Sequence, residues 1–134
     1  MKSIAIVGSR RWSNKTKIKD FIYKLKEKYR DDITIVSGGC KIGADKYAKK
    51  YALEFDIKYI EFPPVHEQHN MYCVLPTYRY GKPYAAWHYF ERNHKIAEYS
   101  DIVVGFIPEG FTSNGTMSTI NNAKKINKKT LIVS

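Results

Sequence analysis

Apolar positions along this 134-residue chain follow two rhythms. Short branched runs at Ser3 to Val7, Ile33 to Val36, Tyr59 to Phe62, Asp101 to Phe106 and Thr130 to Val133 have the length and composition of buried strands. Between them the spacing widens to that of a helix. From Ser13 onward Ile18, Phe21, Ile22, Leu25 and Tyr29 fall on one stripe, with lysines between them. Ala44, Ala48, Tyr51, Ala52 and Phe55 form a second stripe, and Tyr84 to Tyr99 reads as a third helix. The fourth runs from Gly115 to Asn127, with Met117, Ile120, Ala123 and Ile126 on one side.

Strands that alternate with helices need crossover connections, and so a parallel sheet with helices on both faces. Right-handed crossovers make an α/β, Rossmann-like doubly wound sheet of about five strands the expected fold. No internal repeat, low-complexity tract or linker breaks the pattern, so residues 1–134 are expected to form one domain. Residues 65–83 depart from it with histidines, tyrosines and a Gly-Lys-Pro turn that share no period, and they read as an inserted loop or lid.

Composition narrows the class without changing the picture. At 43% hydrophobic and 27% charged residues the chain is patterned as a soluble globule. No apolar run approaches the roughly 20 residues that span a bilayer, so no membrane partner is expected. Ile4 to Val7 is too short for a signal-peptide core, which makes the cytoplasm the expected location. Cys40 and Cys73 make no disulfide framework. A net charge of +10 would concentrate any anion near the surface. Most of the lysines lie on polar helix sides, where a solvated face explains them better than a nucleic-acid surface does. Arginine and aromatic residues are not interleaved with them, so a nucleic-acid partner is not favoured.

Glycine-bearing turns supply the candidate chemistry. Gly8-Ser9-Arg10 follows the first strand, Ser37 to Asp45 the second, and Pro108 to Thr116 the fourth. In an open parallel sheet these strand ends line the ligand crevice. Free amides at a helix start attract phosphate, and glycine lets it reach the backbone. Ser9, Ser37, Ser113 and Thr116 add hydroxyl donors. Turn geometry alone also calls for glycine at such places. Neither a Walker loop nor a G-x-G-x-x-G fingerprint is present.

"IAIVGSR", "VSGGCKIGAD", "ERNHKIAEYSDIVVGF" and "NGTMSTINNAKK" together resemble the SLOG superfamily, which joins the DNA-processing protein DprA to the LOG cytokinin-activating enzymes. The likeness is strongest to the small stand-alone YspA-like members. It implies a Rossmann-like domain that binds nucleotides or nucleotide-derived ligands such as ADP-ribose derivatives. It also implies pairing through helices, and so a homodimer or larger assembly. Carried over by motif, Gly8, Ser9 and Arg10 match the first phosphate-side turn. Ser37, Gly38, Gly39, Gly43, Ala44 and Asp45 span the second. Arg92 and Asn93 match the arginine motif of the third helix, and Gly115 with Thr116 the last turn, where Asn114 is a further phosphate-binding candidate. A guanidinium fork at Arg92 suits phosphate or a developing anionic centre, although a plain surface arginine is the bland reading.

One departure bears on catalysis. LOG-type phosphoribohydrolases carry Pro-Gly-Gly-x-Gly-Thr-x-x-Glu, and the glutamate position is Thr119 here. A hydroxyl cannot supply carboxylate charge to an oxocarbenium-like transition state. Asp45, Glu91 and Glu109 are the carboxylates available as substitutes, and Arg92 completes the catalytic candidates. The expected function is therefore capture of a phosphate-bearing nucleotide or ADP-ribose-like ligand, with no cofactor. Cleavage of the N-glycosidic bond of nucleoside monophosphates is the alternative, and DNA binding ranks last. Within the insert, His66, His69 and Cys73 are spaced like part of a zinc site. A lid or subunit contact built from Tyr72, Tyr78, Arg79, Tyr80 and Lys82 is the preferred reading of the same segment.

Overall fold

The computed structural model describes residues 2–38, 42–62 and 86–134. Gly39 and the 65–83 insert, with His66, His69 and Cys73, lie outside the described residues, as does the side chain of Glu91. The order of elements is β1 (Lys2–Gly8), α1 (Lys15–Tyr29), β2 (Ile33–Ser37), α2 (Ala44–Glu54), β3 (Lys58–Glu61), α3 (Ala86–Tyr99), β4 (Ile102–Phe106), α4 (Asn114–Lys125) and β5 (Lys129–Val133). All strand pairs are parallel, in the spatial order β3-β2-β1-β4-β5. This is the Rossmann-like doubly wound sheet that the alternation predicts.

β1 shows why its sequence is a continuous apolar run. Successive side chains alternate between faces, and both faces are covered. Ile4 and Ile6 pack with Ile18 and Ile22 of α1 and with Ala48 and Tyr51 of α2. Ala5 and Val7 pack with Ile96 of α3 and with Ile120 and Ala123 of α4. Each isoleucine buried this fully contributes about 1.5–3 kcal/mol of transfer free energy. The chain steps from β1 to β3 in one direction, then crosses to β4 on the other side of β1. The turns leaving β1 and β4 therefore diverge and open a crevice at the C-terminal edge.

Caps set the helix starts. Asn14 Oδ1 accepts the Lys17 N–H at 3.2 Å, so α1 begins at Lys15 rather than Ser13. Ser113 caps α4, which begins one residue earlier than its apolar stripe suggests. Gly105 of β4 lets α4 ride close to the sheet, because a Cβ there would stand 2.7 Å from Ile120 Cδ1 and 2.8 Å from Thr116 Cγ2. That close packing holds the first turn of α4 beside the end of β4.

Candidate functional site

The turn after β1 stays bound to the chain around it. Ser9 N–H donates to Phe106 O at 2.9 Å, and the Ser9 hydroxyl accepts the Arg11 N–H at 3.0 Å. The Ser9 carbonyl accepts two further amides, Trp12 N–H at 3.2 Å and Ala44 N–H at 3.1 Å. The amides of Ser9, Arg11, Trp12 and Ala44 are thus taken up within the protein. Gly8 and Gly43 make this contact between β1 and α2 possible. A Cβ on Gly8 would stand 2.5 Å from Phe106 O and 2.6 Å from the Ala44 Cβ. At Gly43, where φ is 75°, it would stand 2.4 Å from Arg10 Cα and 2.5 Å from Ser9 O. Close approach of the chain to itself therefore accounts for these two glycines. What the first turn presents at the rim is the exposed pair Arg10 and Arg11.

α3 reaches the rim from the other face of the sheet through two adjacent residues. Arg92 Nη1 donates to Gly38 O at 2.8 Å and, more weakly, to Phe62 O at 3.4 Å. Arg92 Nε donates to Asn93 Oδ1 at 2.9 Å, and Asn93 Nδ2 donates to Gly115 O at 3.2 Å. The pair stitches together the end of β2, the residue after β3 and the first turn of α4. Asn93 is buried, so both ends of its amide need partners, and these bonds fix its orientation. Gly38 admits the guanidinium: a Cβ there would lie 2.3 Å from Arg92 Nη1 and 3.0 Å from Asp45 Oδ2. Arg92 and the buried Asp45 at the start of α2 thus face one another over Gly38.

Beneath this pair Ser37 is fully buried and hydrogen-bonds the Tyr59 side chain. Burial pushes the Tyr59 phenol well above its ordinary range, against the opposing effect of the Ser37 bond, with Glu61 and Asp45 adding to the rise. The phenol stays protonated and donates to Glu61 Oε1 at 3.0 Å. It serves as a fixed donor under the rim.

The third turn differs from the first. Gly110 adopts a left-handed φ of 84°, whereas Gly115 has no positive φ and, among the described residues, no atom within 4 Å of where its Cβ would be. Ser113 and Thr116 share a hydroxyl–hydroxyl bond of 2.7 Å, and the Thr116 N–H points at Ser113 Oγ from 3.4 Å. Asn114 and Gly115 are exposed. Thr119 is buried and donates to Gly115 O at 3.3 Å, a bond back along its own helix. Its hydroxyl faces the helix and supplies no acid to the crevice. Glu109 is exposed on the turn after β4.

The structure therefore joins Gly38, Asp45, Arg92, Asn93 and Gly115 into one connected cluster. Gly8, Ser9, Gly43 and Ala44 form the packed wall behind it. Sequence reasoning passed over Tyr59, Arg11 and Phe111; for the last, an aromatic between a Pro-Glu-Gly turn and a serine cap was the available signal. Among the described residues no group of three or more His, Cys, Asp or Glu side chains is placed to hold a metal ion. No helix among them is long and apolar enough to cross a membrane.

A family model described as the YspA, cpYpsA-related SLOG family matches residues 2–69. The match covers the first two turns, while Arg92, Asn93 and Gly115 lie beyond it. A search of curated proteins finds no match. Among solved structures, the molybdenum cofactor binding protein from the phototrophic bacterium Rippkaea orientalis aligns with a TM-score of 0.66 at 16% identity, over 98% of this chain and 75% of that one. Two structures of the molybdenum cofactor carrier protein from Chlamydomonas reinhardtii align with TM-scores of 0.64 and 0.63, each at 16% identity and with the same coverage. At that identity the likeness is one of fold.

Proposed function

Since this chain belongs to the YspA, cpYpsA-related SLOG family, we propose that it binds a phosphate-bearing nucleotide or ADP-ribose-like ligand in the crevice at the C-terminal edge of the sheet. Gly115 carries the reading. Close approach explains Gly8, Gly38, Gly43 and Gly105, and backbone conformation explains Gly110. Nothing among the described residues asks for glycine at 115. It sits in the first turn of α4, where a bare backbone admits an anion to the helix amides and dipole. Asn93 anchors that turn, and Arg92 sets positive charge beside it. The solved structures of similar fold are a molybdenum cofactor binding protein and a molybdenum cofactor carrier protein, which supports capture of a small molecule on this fold.

Binding without cleavage is the expected behaviour. Thr119 is turned into its helix, and Asp45 is buried beside Gly38, where Arg92 also lies. AMP, ADP-ribose, NAD and cyclic nucleotides should raise the melting temperature to different extents, with at least one clear rise. Flat melting curves with all of them would count heavily against the reading. AMP incubated with concentrated protein should release no adenine. Release that disappears in Asp45→Asn would establish the glycosidase reading in its place.

A further inference from the structure

Phe111 is 47% exposed at the tip of the loop that leaves β4. A hydrogen-bonded turn presents it: its N–H donates to Pro108 O at 3.1 Å, and Gly110 supplies the left-handed residue at the third position. Across the crevice, the loop that leaves β1 brings the Arg11 guanidinium to 5.3 Å from the centroid of the Phe111 ring. Among the described residues no carboxylate pairs with Arg11. A flat cation over an exposed ring contributes little to folding in water. Here it links the two loops that flank the point where strand order reverses, which is where ligands enter such sheets.

We propose that Phe111 and Arg11 form a stacking platform for the planar heterocycle of the ligand. The platform rests on the nucleotide reading above and adds to it a residue-level account of base recognition. Phe111 stands two residues before Ser113, the cap of α4, so one loop carries both the ring and the phosphate cradle. A ligand held by its phosphate at Gly115 would lay its base toward this ring. Stacking on an aromatic face tolerates any flat heterocycle and discriminates against a ligand that has none.

Calorimetric titration of AMP and of ribose 5-phosphate into the wild type, Phe111→Ala and Phe111→Trp tests the platform. The wild type should bind AMP more tightly than ribose 5-phosphate. Phe111→Ala should weaken AMP by about tenfold, leave ribose 5-phosphate unchanged and keep the melting temperature of the parent. Phe111→Trp should retain AMP affinity, and its fluorescence should be quenched by AMP but not by ribose 5-phosphate. Equal AMP affinity in Phe111→Ala and wild type, or a parallel loss for both ligands, overturns the platform while the phosphate site stands. A wild type that binds neither of these ligands nor ADP-ribose, NAD or a cyclic nucleotide overturns both.

Discussion

Gly43→Ala is expected to cost about 3–5 kcal/mol, much of the stability of an ordinary domain. Two penalties combine at this residue. Its backbone, at φ 75° and ψ −149°, occupies a region essentially restricted to glycine. A methyl group would also meet Arg10 Cα, Ser9 O and Arg10 C at 2.4, 2.5 and 2.7 Å. All three are main-chain atoms, so no side-chain rotation relieves the overlap. Gly115→Ala is the control. With open space and an ordinary backbone it should leave melting unchanged or raise stability by up to about 1 kcal/mol. Thermal and urea unfolding of the two variants side by side checks the contrast. Similar losses in both would show that the wall between β1 and α2 is not as tight as drawn.

Arg92→Ala should lower stability by about 2–3 kcal/mol, or roughly 10 °C in melting temperature. The guanidinium bonds the residues after β2 and β3 and orients Asn93, whose other end anchors α4. Without it, three segments of the rim lose their common tie and Asp45 loses its cationic neighbour. Arg92→Lys should recover only part of the stability. An ammonium keeps the charge but not the planar fork that serves Gly38 O and Asn93 Oδ1 together. Ligand affinity should fall by at least tenfold in Arg92→Ala, more steeply than melting alone explains. Full stability in the alanine variant would contradict the bracing role.

The order of elements was legible because burial imposes periodicity on the chain. Ile4, Ile6, Ala5 and Val7 had to be apolar together once both faces of β1 were covered, and the helical stripes of α1, α2 and α4 followed the same logic. Element ends shifted by a residue or two where capping decides, as at Asn14 and Ser113. The glycine turns could be found but not interpreted. Gly43 and Arg10 are far apart along the chain, and only the fold brings them within 2.4 Å of a shared Cβ position. The same distance in sequence hid the partnership of Arg92 with Gly38, whose residues are 54 apart. Phe111 escaped notice because a single aromatic in a loop has no period to reveal it.

The central claim is that the end of β2, the middle of α3 and the start of α4 converge on one anionic ligand. A titration of ADP-ribose into isotope-labelled protein, followed amide by amide by NMR, tests it most directly. Saturable shifts that fit one dissociation constant are predicted at Gly38, Asn93, Gly115 and Thr116, with the lysine-bearing side of α1 unmoved. An absence of saturable change at millimolar ligand, or shifts confined to the lysines of α1 and α2, would contradict it.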